Sequence, residues 1–201
     1  MMKLFFAATT LFSVLLLAGC ANRGARYIDS QGTETIVSLN KINIQDWNNA
    51  ADQLVQSLLT SGALERAPRQ PAVLAISRII NNTQQHVDTD SLVKKIRVSL
   101  NRTGKVATTM TMGLGGHAED PLAKETAEYA AFMNDKPAQS TTMLPDYTLT
   151  GKLLEDRAKA GRTRQTTYSF QMSLTAVASG LAVWEDEVQI TKSGKKSSVG
   201  W

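Results

Sequence analysis

Between residues 165 and 178 apolar and polar positions alternate. Tyr168, Phe170, Met172, Leu174 and Ala176 are separated by Ser169, Gln171, Ser173 and Thr175. Successive side chains of a strand point to opposite faces, so this spacing predicts a strand with one buried and one wet face. A different period runs upstream. Trp47, Ala51, Leu54 and Leu58 recur at steps of three and four, which places them on one side of a helix over 44–61. Asn43 is its expected N-cap, Asp46 stands in the positively polarised first turn, and Gly62 stops it. Val93, Ile96 and Leu100 mark a second helix over 89–101, capped by Asp88 or Thr89 and ended by Gly104. A third, capped by Asp120 with Pro121 in its first turn, presents Leu122, Tyr129, Phe132 and Met133 as its apolar side.

Residues 72–80 are apolar almost throughout, the pattern of a strand buried on both faces. Residues 81–85 follow as a polar loop, and 105–112 read as another strand. Strand, helix and strand at this spacing suggest a crossover unit. Later, 147–156 is a strand, 157–164 a basic glycine-containing turn, and 181–191 a strand returning after the Ser179-Gly180 turn. Residues 192–201 read as a frayed basic end, and 35–39 as a possible short strand. The expected fold class is α/β, a small mixed sheet flanked by helices in a single domain over 41–201.

The first twenty residues obey other rules. Lys3 precedes an apolar stretch over 4–17, broken only by Thr9, Thr10 and Ser13. That is shorter than the roughly 20 apolar residues a spanning helix needs, and it fits the core of a secretory signal. It ends in Leu17-Ala18-Gly19-Cys20, which resembles the bacterial lipobox. Small residues at 18 and 19 let an extended backbone enter a peptidase cleft, and the thiol of Cys20 is the group that takes the lipid. The expectation is a signal peptide over 1–19, cleavage before Cys20, and a lipidated tether over 20–40. Two or three acyl chains, each methylene contributing roughly 0.8 kcal/mol, anchor such a protein stably. Ala21 follows where Asp is the usual inner-membrane retention signal, so the expected location is the outer membrane, facing the periplasm. A tether of this length averages about 25 Å as a coil and spans at most roughly 70 Å.

Charge and cysteine content add little. The net charge is +4, a weak argument for any anionic partner, and the compartment excludes nucleic acid. Cys20 is the only cysteine, so no disulfide is expected within the chain. Gly113-x-Gly115-x-x-Ala118 with Asp135 matches a loose dinucleotide fingerprint, but its strand is not the first of a doubly wound set. His86 and His117 lie in separate loops without a patterned carboxylate, which falls short of a metal site. Glu155 and Asp156, adjacent in a strand, face opposite sides and form no acid–base pair, and Glu185, Asp186 and Glu187 read as a solvated stretch. The cluster Arg157, Lys159, Arg162 and Arg164 suits a solvated hairpin tip, or contact with an acidic partner or phospholipid headgroups. No enzyme, cofactor, metal or small-molecule substrate is expected.

The order of these elements carries a resemblance. Asp46-Trp47-Asn48-Asn49-Ala50 opens the first helix. Val73-Leu74-Ala75-Ile76 runs through Asn81-Asn82-Thr83 into a helix with Leu92 and Leu100. Asp146-Tyr147-x-Leu149-x-Gly151-Lys152, Gln171-Met172-x-Leu174 and Val183-Trp184 complete the series. From about residue 46 to 184 the chain resembles the LpoB family, outer-membrane lipoproteins that activate class A penicillin-binding proteins of the 1B type. The resemblance implies an α/β domain like the TolB N-terminal domain and no catalysis. It also implies a class A penicillin-binding protein as partner, with Asn81, Asn82, Thr83 and Tyr147 as candidate contact residues. Asn82 stands where well-studied members carry Arg, and the 20–40 segment is short beside the long Pro-rich linker of enterobacterial members. The rival reading is an assembly or scaffold lipoprotein of the CsgG-like or flagellar-associated kind; a barrel-building pore would call for further long amphipathic strands. A periplasmic hydrolase would require a clustered acid–base pair.

Overall fold

Eleven residues, Ala72–Asn82, form the central strand β1. A computed structural model describes residues 29, 37–39, 41–112, 119–133 and 143–195. Cys20, most of the tether, Gly113, Gly115, His117, Ala118 and Asp135 lie outside the described residues. Among the described residues the helices are α1 (Ile44–Thr60), α2 (Thr89–Arg102) and α3 (Pro121–Met133). The strands after β1 are β2 (Val106–Thr108), β3 (Tyr147–Ala160), β4 (Thr163–Ala176) and β5 (Ala182–Lys195). They make one sheet in the order β2-β1-β3-β4-β5. β1 is parallel to both neighbours, whereas β3, β4 and β5 form an antiparallel meander. The mixed α/β sheet and the β1–α2–β2 crossover are as expected.

Helices α1 and α2 cover one face. The α1 stripe of Trp47, Ala51, Leu54 and Leu58 is buried, as are Val93, Ile96 and Leu100 of α2. They meet Leu74, Ile76, Leu149, Leu153, Tyr168, Phe170, Met172 and Leu174 from the sheet in one core. Burying each such side chain contributes roughly 1.5–3 kcal/mol. Asn43 and Asp46 cap α1 reciprocally, each side chain accepting from the other's backbone N–H at 2.9 Å. Asp88 caps α2 and Asp120 caps α3.

The sheet departs from expectation at four places. β1 carries a one-residue irregularity between Ile76 and Ile79, which pair with Leu149 and Gly151. Ile76 and Ile79 therefore both face the helices, and Ile80 is left 48% exposed. The strand is thus not buried on both faces, and it runs on through Asn81 and Asn82. Of the 105–112 segment, whose pattern predicts a strand, only Val106–Thr108 pairs. The basic segment 157–164 is not a turn: Arg157 to Ala160 and Thr163 to Arg164 extend the β3–β4 ladder, and only Gly161 and Arg162 turn the chain. Residues 192–195 are not frayed but belong to β5.

Gly151 explains itself at the irregularity. A Cβ built there would lie 3.2 Å from Ile79 Cγ1, 3.3 Å from the Gln171 carbonyl and 3.4 Å from Phe170 Cε2. Gly151→Ala should overpack this point and lower stability by about 1–3 kcal/mol, read as a shifted urea midpoint with unchanged slope.

Helix α3 corrects a further expectation. Leu122, Tyr129, Phe132 and Met133 are 63–79% exposed, and Ala131 is the buried residue of the helix. Ala127 lies with Val73 and Ala107 around a shallow hollow, on the face of β1 and β2 away from the main core. The small side of α3 meets the sheet edge and its large apolar side faces solvent. The approach to α3 is held by Arg97, a buried α2 residue whose guanidinium donates to both carboxylate oxygens of Glu119, Nη2 to Oε1 at 2.6 Å. The hydrogen bond from Arg97 holds the Glu119 carboxyl below the usual carboxylate range.

Candidate partner-binding surface

β1 ends in a loop held by its own amides. Asn81 Nδ2 donates to the Gln85 carbonyl at 2.8 Å, and Asn81 Oδ1 accepts from Thr83 N–H at 3.0 Å and from its hydroxyl at 2.8 Å. The Thr83 hydroxyl in turn accepts from Gln85 N–H at 3.2 Å. Short polar side chains that bond backbone two to four residues away are the usual makers of such turns. The loop is then tied to the sheet. Gln84 N–H donates to Glu155 Oε2 at 2.8 Å, and the Glu155 side chain is 2% exposed and also accepts from Arg157 Nε.

Gln85 joins three parts of the chain. Its Nε2 donates to the Tyr168 hydroxyl at 2.6 Å on β4, and its Oε1 accepts from Ile42 N–H at 3.0 Å. Burial pushes the Tyr168 hydroxyl above its ordinary value, with the nearby Glu155 carboxylate adding to the effect. Close by, Lys192 Nζ donates to Asp46 Oδ2 at 2.5 Å and to the Lys41 carbonyl at 2.9 Å. The loop, the segment before α1, and α1 itself are thus locked at one end of the domain.

A groove of about 320 Å³ opens between these parts. Ile42, Trp47 and Leu92 supply its buried apolar wall, while Asn48, His86 and Lys95 are the more exposed polar groups along it. Trp47 is fixed by edge-on contacts with Tyr168 and Phe170, ring centroids 6.5 and 6.1 Å apart. A rigid apolar wall with amides and one cation at its mouth suits a protein segment with mixed side chains. Among the described residues no three His, Cys, Asp or Glu come together. Glu155 is occupied by the loop and Arg157, and Glu187 on the open sheet face is held below the usual carboxylate range by hydrogen bonds from Gln171 and Gln189.

Of the four residues singled out from the sequence, the structure brings three together. Asn82 is exposed at the end of β1 opposite Leu154, while Asn81 and Thr83 are half-buried and shape the turn beside it. Tyr147 is not at this surface. It is 4% exposed, its hydroxyl donates to the Ala63 carbonyl at 3.1 Å, and burial raises its pKa. It pairs with Leu74, whereas Asn82 pairs with Leu154, which puts the two about 23 Å apart along the strands. Tyr147 is a core residue with no surface for a partner. Sequence reasoning does not join Gln85 to Trp47: the amide run at 81–85 and the aromatic residue in the first turn of α1 lie in separate parts of the chain, and only the fold brings them to one groove.

No curated protein sequence matches this chain. Among solved structures it is similar to the LpoB C-terminal domain from Salmonella enterica, at 16% identity and TM-score 0.44 over 72% of this chain and 98% of that one. It is also similar to the LpoB C-terminal domain from Escherichia coli, at 15% identity and TM-score 0.42 over 73% and 99%. A third similar structure is lipoprotein GNA1162 from Neisseria meningitidis, at 15% identity and TM-score 0.36 over 61% and 84%. The family model described as peptidoglycan-synthase activator LpoB matches residues 46–190, and the chain belongs to that family.

Proposed function

We propose that this protein is an outer-membrane lipoprotein, lipidated at Cys20 and facing the periplasm, that binds and activates a class A penicillin-binding protein of the 1B type. On this reading residues 1–19 are removed, 20–40 tether the body to lipid, and 41–201 form the regulatory domain. The observation that carries it is the family match, which runs from the first turn of α1 through most of β5 and takes in every buried residue of the packed core except Ile42. An activator without catalytic groups can act only by binding the active state of the synthase more tightly than the idle one. The 83–88 loop, the exposed Asn82 and the groove beside Trp47 form the contact surface. Asn81 and Thr83 hold the loop in shape rather than reaching the partner.

The rival scaffold reading gains one point, because β3, β4 and β5 are each 14 residues long. Their outer halves nonetheless carry Arg157 and Lys159 on one face and Asp156 on the other, which does not suit strands facing lipid.

The test is to add the purified lipoprotein to detergent-solubilised 1B-type synthase and follow glycan polymerisation and cross-linking. Binding with a raised rate is expected. Asn82→Ala combined with His86→Ala should weaken binding about tenfold while leaving the thermal midpoint unchanged. Absence of binding and of any rate change would dispose of the proposal. Recovery of flagellar or secretion components instead, with the lipoprotein as bait in solubilised membranes, would favour the rival.

A further inference from the structure

Past the Asn82–Leu154 pair, β1 no longer covers β3, and the hairpin of β3 and β4 projects with only β5 alongside. Its cations are placed in register. Arg157 stands opposite Thr166, which stands opposite Lys192; Lys159 stands opposite Arg164, which stands opposite Gly194. Pairing partners share a face, so Arg157, Lys159 and Arg164 lie on one side, around a hollow of about 240 Å³ that includes the buried Thr166. Arg162 sits in the turn beyond them. Glu155 and Asp46 engage Arg157 and Lys192, but among the described residues Lys159, Arg162 and Arg164 have no acidic partner. Two cations directly opposed on adjacent strands repel, so Lys159 and Arg164 weaken the hairpin unless an anion lies over them.

The direction in which the hairpin points supplies the occupant. Lys192 holds the Lys41 carbonyl, so the chain coming from residue 20 joins the body beside the outer half of β5. The turn at Gly161 and Arg162 lies about 15 Å beyond that row, within the roughly 25 Å that a tether of this length averages. No large hydrophobic side chain is exposed between Glu155 and Thr167, so the tip is built for charge and not for insertion.

We propose that the basic end of the β3–β4 hairpin docks on anionic phospholipid headgroups of the same membrane that holds the lipidated Cys20. The proposal rests on the lipid-anchor reading above. Lysines and arginines near an anionic surface each strengthen the attraction about fivefold, and anchorage at the same end of the body supplies a high local concentration. Docked in this way, the hairpin fixes the orientation of the domain on the membrane, with Asn82 and the 83–88 loop at its base.

The full lipidated chain carrying Ala160→Cys, labelled with a fluorophore, is reconstituted into vesicles that contain a headgroup quencher. Quenching at least twofold stronger with about 30 mol % phosphatidylglycerol than with pure phosphatidylcholine is expected. It should fall to the phosphatidylcholine level in about 0.5 M salt. It should fall equally in the combined Lys159→Gln, Arg162→Gln and Arg164→Gln variant. A label at Ser179→Cys, in the turn at the other end of β4, should show no lipid dependence. Equal quenching in both vesicle types, or quenching at both label sites, overturns the proposal. A signal at position 160 that appears only when the synthase is added also overturns it, in favour of an acidic protein surface. Flotation with phosphatidylcholine vesicles reports the anchor separately. Chains that fail to float refute the anchor and this inference with it, whereas chains that float without phosphatidylglycerol-dependent quenching refute the hairpin alone.

Discussion

Phe170→Ala is expected to destabilise the domain by about 3–5 kcal/mol. Phe170 is 1% exposed, it meets the edge of Trp47, and its ring lies against the bare backbone of Gly151. Removing the ring forfeits its transfer energy and opens a hollow between α1 and the sheet, because the Gly151 backbone has no side chain to move into it. Domains of this size are stable by only about 5–15 kcal/mol, so the change removes a large share of the total. Urea unfolding followed by tryptophan fluorescence reads the effect directly, since Trp47 reports the same contact. Phe132→Ala is the control. Phe132 is 79% exposed on α3, and its truncation should move stability by under about 0.5 kcal/mol. Two phenylalanines on apolar faces should thus differ about tenfold in cost, and equal costs would mean that Phe170 contributes no more packing than the exposed Phe132.

The second large effect concerns Asp46 and Lys192. Their side chains are 19% and 7% exposed, and they close α1 against β5 from 146 residues apart. Asp46→Ala removes half of the capping box at Asn43 and leaves the Lys192 ammonium with only the Lys41 carbonyl, for an expected loss of about 3 kcal/mol. Lys192→Met should cost less, about 1 kcal/mol, because Asp46 is the more exposed partner and still accepts from Asn43 N–H. The double variant should recover much of the single Asp46→Ala loss, since an apolar chain replaces the stranded charge. A double-variant cycle with no coupling would mean that the pair contributes nothing beyond the cap.

Much of the architecture was legible because it is local. The alternation from Tyr168 to Leu174, the α1 stripe and the caps at Asn43, Asp88 and Asp120 depend on spacing within a few residues, and all appear where the spacing put them. The misread elements depend on distant partners. Basic residues 157–164 look like a turn until β5 pairs with Thr163 to Thr167 and holds them in a ladder. Lys192 looks like part of a frayed end because Asp46, its partner, is far away in sequence. The candidate contact surface was half legible. The short polar side chains of Asn81 and Thr83 announce a turn, but nothing in their order reveals that Gln85 bridges β4 and Ile42, or that Tyr147 is sealed in the core.

Helix α3 shows where the boundary lies. Its sequence determined that Leu122, Tyr129 and Met133 share one side and that Asp120 caps it. Only the tertiary structure decided that this side faces water, because the shallow hollow beside Val73 and Ala107 takes the small Ala127, and Ala131 is the residue of the helix that is buried. A periodic pattern specifies which residues point together. Which of those sides is buried depends on the shape of what lies opposite, and that shape is made by strands distant in the chain.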